Sequence, residues 1–96
     1  MTILKNTEIL PSTRIERYQA VLSASTVNAL VELVNVNYIQ TIVVKACPSD
    51  ATIRHGEVTE SAIPIAVDDV RNALAFEAIY VSSVSGGTLD LEIHGR

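Results

Sequence analysis

Cys47, His55, His94, the adjacent Asp68 and Asp69, the pair Glu57 and Glu60, and Gly86-Gly87 are the positions of this 96-residue chain whose types could do chemistry. A nucleophilic thiol needs a base and a positive setting to form its thiolate. Nothing in the sequence places His55 or His94 beside Cys47, so the lone cysteine reads as a buried or half-buried structural thiol. Being single, it cannot close an internal disulfide. Two histidines far apart in the chain are a poor basis for zinc, and the carboxylates lack the spacing of a metal loop. Both histidines are expected at the surface. Asp68-Asp69 reads as a turn, because neighbouring carboxylates on a strand point to opposite faces. Glu57 and Glu60 could pose as the carboxylate pair of a sugar hydrolase, but so short a chain lacks the cleft walls such catalysis uses. Gly86-Gly87 runs into Thr-Leu-Asp with no lysine, which suits a turn and not a phosphate loop. No catalytic, metal or cofactor-binding residue is assigned, no cofactor is expected, and the expectation is a protein that is not an enzyme.

The elements that would carry these residues are strands. Val, Ile and Thr supply 30 of the 96 residues, and β-branched side chains favour strands. Leu89, Leu91 and Ile93 alternate with Asp90, Glu92 and His94, the pattern of a half-buried strand. Ala78–Val84 before it, with Ser85-Gly86-Gly87-Thr88 between, predicts a closing hairpin. Ile39–Ala46 alternates as well, with Ile42, Val44 and Ala46 inward and Gln40 joining them at the edge. Pro64 within Ile63–Val67 marks an edge strand or a strand start. Thr52–Val58 reads as a weak strand, and 70–76 fits either a helical turn or a strand.

Residues 27–36 also read two ways. Val27, Leu30, Val31 and Val34 share a helical face that Ser25 or Thr26 could cap. The β-branched density favours a strand over Leu30–Val36, apolar on both faces, which would need a second cover from another subunit or from a loop of the same chain. Residues 1–17, broken by Pro11, read as an N-terminal arm or irregular first strand, and 18–96 as one domain. About seven short strands at this spacing predict an all-β fold, a small antiparallel β-sandwich or flattened barrel.

Composition narrows the function classes. Hydrophobic residues make up 48% and charged residues 19%, and there is no Trp and one Phe. The net charge of −4 gathers in 57–92, where seven acidic residues face Arg71 alone. That acidity repels phosphate backbones, so no nucleic-acid partner is expected. No apolar stretch reaches the length of a membrane span and the first residues lack a signal-peptide run, so no membrane partner is expected either and synthesis in the cytoplasm is the default.

Between residues 30 and 95 a series of segments follows a recognisable order. Leu33-Val34-Asn35 ends one aliphatic stretch and Ile42-Val-Val-Lys45 forms the next. Ile63-Pro-Ile65 leads to the acidic turn Val67-Asp-Asp69. Ile79-Tyr80-Val81, the turn Ser85–Thr88 and the strand Leu89–Ile93 then close the chain with His-Gly-Arg. This pattern resembles small bacteriophage virion structural proteins of the capsid-decoration and head-fibre type. The resemblance implies a non-enzymatic bacteriophage virion component, made in the host cytoplasm. It would work as a homo-oligomer, with a trimer the guess, against other virion proteins such as the major capsid protein. Ile9, Leu10, Arg14 and Arg17 of the arm and Val34 and Val36 of the doubly apolar stretch are the expected interface residues. The alternative is a carbohydrate- or ligand-binding β-sandwich module using Tyr18, Tyr38 or Tyr80 as platforms. A cluster of exposed tyrosines would favour it.

Overall fold

A computed structural model describes residues 14–72, 74 and 76–96, and these contain strands and no helix. The strands are β1 (Arg14–Leu22), β2 (Thr26–Leu30), β3 (Ile39–Ala46), β4 (Thr52–His55), β5 (Ile63–Pro64), β6 (Val70–Arg71), β7 (Ile79–Ser83) and β8 (Gly87–Gly95). They form two antiparallel four-stranded sheets, β1-β8-β3-β6 and β2-β7-β4-β5. The expected all-β sandwich is therefore what forms. Its strand order, with six of the seven connections crossing between sheets, is that of the eight-stranded jelly roll.

The core follows from side-chain alternation. Leu89, Leu91 and Ile93 of β8 and Ile42 and Val44 of β3 are fully buried against Ile79 and Val81 of β7 and Ile53 of β4. Ile39 and Ile42 both point inward although their spacing is odd, because β3 shifts register against β8 between Ile39 and Thr41. Such a bulge resets the face on which later residues fall. Pro64 lies on an edge strand, as its missing N–H requires. Val70 and Arg71 are extended, which resolves the start of 70–76 as strand.

Several expectations are corrected. Leu30–Val36 is not a strand: β2 ends at Leu30, and 31–38 is an irregular connection. The Glu16 carboxylate accepts hydrogen bonds from the backbone N–H groups of Val34 (2.7 Å), Asn35 (2.7 Å) and Val36 (3.1 Å). Those donors are thereby taken from any strand neighbour. Of the stretch read as an arm or irregular first strand, residues 14–17 are strand, since Arg14 to Arg17 pair in unbroken register with Gly95 to Glu92. Ser85–Thr88 does not close a hairpin, because β7 and β8 belong to different sheets. The chain arches across the sandwich there, with Gly86 at φ 76° and Gly87 at φ 136°, conformations that favour glycine.

Antiparallel order puts the connections 23–25, 47–51, 65–69 and 84–86 at one end of the sandwich. Those at 31–38 and 56–62, with Asn72 and residues 76–78, lie at the other, beside Arg14 and Arg96.

Candidate interaction surface

The first end is tied together by Asp50. Its carboxylate accepts the Ser83 hydroxyl at 2.6 Å, the Ser85 N–H at 3.0 Å and the Ser85 hydroxyl at 3.0 Å. Ser83 Oγ in turn accepts the Gly86 N–H at 3.0 Å. The Ser83 hydroxyl, followed by the Ser85 N–H, holds Asp50 below the usual carboxylate range. The network shapes the β7–β8 arch. Beside it the Ser25 N–H bonds the Val84 carbonyl at 2.8 Å, and Val21, Val27 and Val84 around these turns are 81%, 74% and 75% exposed.

The second end carries a groove of about 460 Å³. Leu30, Val31, Leu33 and Val36 give it an aliphatic lining, and Glu32 and Glu77 give it an acidic character. Tyr80 also lines it, while Tyr38 instead faces the Arg96 guanidinium, 5.7 Å from its ring centroid. Tyr18 packs against the core. The three tyrosines do not form one platform.

The expected interface residues separate. Ile9 and Leu10 lie outside the described residues. Arg17 makes a two-pronged ion pair with Asp90, at 2.7 and 2.8 Å, and Gln19 adds a third bond to the same carboxylate at 3.1 Å. Arg14 donates to the Asn35 carbonyl at 2.9 Å. Both arginines therefore fasten β1 to its own domain. Val34 is 84% exposed, but Val36 is 3% exposed and belongs to the core of its own chain. Val36 is thus corrected from interface to core. Glu16, which sequence reasoning missed, holds this loop. Partial burial raises its pKa, and the Val34, Asn35 and Val36 N–H groups outweigh that to leave it lowered.

Cys47 is half-buried, with its thiol directed at the Ile65 carbonyl at 3.8 Å. Burial, and then Asp69, pushes that thiol up, away from the thiolate that reactivity needs. Among the described residues no three His, Cys, Asp or Glu side chains gather as a metal site would require. Asp69 instead accepts the Ala66 N–H at 2.9 Å, which closes the expected turn.

His55 overturns its expected surface position. It is buried on the inner face of β4 and stacks on Phe76, ring centroids 4.9 Å apart and planes 12° from parallel. Its Nε2 has no hydrogen-bond partner among the described residues. Burial, and then the Arg71 charge, lowers its pKa. The unfolded chain, with an ordinary histidine pKa of about 6.5, takes up the proton first. The stability that neutral His55 contributes is therefore present above about pH 6.5 and lost as pH falls toward the folded value. The melting temperature should drop between about pH 7.5 and pH 5.5, whereas His55→Phe, which keeps the stack and cannot ionise, should flatten that slope. Equal slopes in the two proteins would assign the dependence elsewhere.

No family model, curated protein or solved structure matches this chain, so its placement rests on the residues and geometry above.

Proposed function

We propose that this chain is a non-enzymatic virion structural protein of the bacteriophage capsid-decoration type, acting as a homo-oligomer through protein–protein contacts. The observation that carries the reading is aliphatic surface turned to solvent. Ile15 and Val21 on β1 and Val27 and Val84 at the first end are each more than half exposed. Subunit or shell contacts would bury them and gain roughly 25 cal/mol for each Å² removed from water. The residue pattern from Leu33 to Arg96 supports the same reading. The jelly roll is compatible with it, since that architecture serves capsid proteins, although it serves lectins too.

Immunogold microscopy on phage particles from the source of the sequence tests the proposal. Antiserum against the purified protein should label virions at regular positions. Label confined to the soluble fraction would overturn the reading.

The second reading, a ligand-binding module, is favoured by the groove, where Tyr80 and Asn37 could face a sugar above an aliphatic floor. A perturbation of Tyr80 resonances by mono- or disaccharides would support that module over the virion role.

A further inference from the structure

We propose that β1 pairs with β1 of a second copy, antiparallel across a two-fold axis at Tyr18, so that the β1-β8-β3-β6 sheets of two chains join into one continuous sheet. The choice of a second copy as occupant rests on the oligomeric reading above; the edge and its register come from the fold.

An unprotected edge strand offers a row of backbone donors and acceptors to any other strand, and proteins blunt such edges. Three of the four sheet edges here are blunted. β5 and β6 are two residues long, and β5 contains Pro64. β2 shifts register between Thr26 and Ala29, with Asn28 at φ 50°. β1 has none of these devices. It runs nine residues without proline or bulge, pairs with β8 from Arg14↔Gly95 to Leu22↔Gly87, and has no strand on its other side among the described residues.

The residues on this edge fit a second copy of themselves. A continuous sheet with both cores on one side requires inward residues to oppose inward residues, so the two-fold axis must pass through a β1 residue. An axis at Arg17 would set Arg17 against Arg17, and one at Glu16 would set Glu16 against Glu16. Like charges directly opposite are unfavourable. An axis at Gln19 would leave Arg14 and Ile15 without partners on the other strand. At Tyr18 all nine residues find partners: Ile15 opposes Val21, Glu16 opposes Ala20, Arg17 opposes Gln19, and Arg14 opposes Leu22. Ile15 and Val21, 57% and 81% exposed in the single chain, then cover each other twice. The charge of Arg17 is already met by Asp90. Such a ladder would add roughly eight to ten main-chain hydrogen bonds. Two-fold closure yields even-numbered assemblies, unlike the trimer expected from sequence.

Sedimentation equilibrium on the full chain, with circular dichroism to verify folding, tests the register through charge. Ile15→Lys combined with Val21→Lys sets like charges across both symmetric pairs and should weaken dimerisation at least about tenfold. Ile15→Lys combined with Val21→Glu sets opposite charges there and should restore it to within about threefold of wild type. Should the double lysine variant misfold, Val21→Lys alone changes a side chain that is 81% exposed and reads the same contact. A monomeric wild type, an odd-numbered assembly, or equal dissociation constants for the two double variants would overturn the pairing. The outcome is separable from virion labelling. A dimer whose antiserum leaves virions unlabelled keeps the edge and removes the virion role, and a labelled virion built from monomers does the reverse.

Discussion

Val36→Asp should lower the melting temperature by roughly 20 °C or more, while Val34→Asp, two positions earlier, should stay within about 2 °C of the parent. The two valines look alike in the run Val-Glu-Leu-Val-Asn-Val. In the fold one is 3% exposed and packed in the core, and the other is 84% exposed. A carboxylate in place of Val36 would be buried without a partner, at about 4 kcal/mol or more. That is a large share of the roughly 5–15 kcal/mol that holds a domain of this size together. At Val34 the new charge stays in water. Thermal melts followed by circular dichroism read both variants. Equal losses would mean the loop does not seat Val36 as described. A loss at Val34 alone would mark that residue as a subunit contact.

The same loop shows where the sequence was legible and where it was not. β8 and the middle of β3 could be read because their alternation is local, and the burial of Leu89, Leu91, Ile93, Ile42 and Val44 follows from it directly, whereas the register shift between Ile39 and Thr41 left no mark in the pattern. Pro64 was legible for a similar reason, since a missing N–H restricts a residue wherever it stands. The loop at 31–38 was not, because its shape depends on Glu16, 18 to 20 positions upstream. A run of Val and Leu carries no trace of that carboxylate. The β7–β8 connection failed in the same way. Ser-Gly-Gly-Thr permits a hairpin or an arch equally well, and Asp50, 33 positions from Ser83, belongs to the geometry that makes it an arch.

How the start of β1 is held was not legible, because its charged residues are satisfied by distant groups, Glu16 by the loop N–H donors and Arg17 by Asp90. Of the candidate surface, the aliphatic residues were visible in composition, but not which of them face solvent. Val36 was assigned to an interface because inward and outward valines are the same residue until the register is known. The groove is built from 30–37 and 77–80, so no single stretch of sequence announces it.

Gly95→Ala should be nearly as damaging as Val36→Asp, costing about 2–4 kcal/mol and lowering the melting temperature by roughly 10–25 °C. Gly95 stands near the end of β8, flanked by Arg14 of β1 and Ile39 of β3. A Cβ there would collide with the Tyr38 carbonyl oxygen and press on Val36 Cγ1 at 3.0 Å. The Tyr38 oxygen cannot retreat cheaply, because it accepts the Arg96 N–H at 3.0 Å while the Asn37 and Tyr38 N–H groups bond the Arg96 carbonyl at 2.7 and 2.9 Å. These three bonds clamp the entry of β3 against the end of β8, and the clamp lies against the loop that seats Val36. Moving the backbone to admit a methyl group would loosen the clamp and the seat together. Arg96→Ala supplies the contrast. It removes the guanidinium beside the Tyr38 ring and keeps all three backbone bonds, so its cost should be below about 1 kcal/mol. If Gly95→Ala melts with the parent, the close approach is not a constraint. If Arg96→Ala is the more damaging of the two, the side chain and not the backbone clamp holds this end of the sandwich.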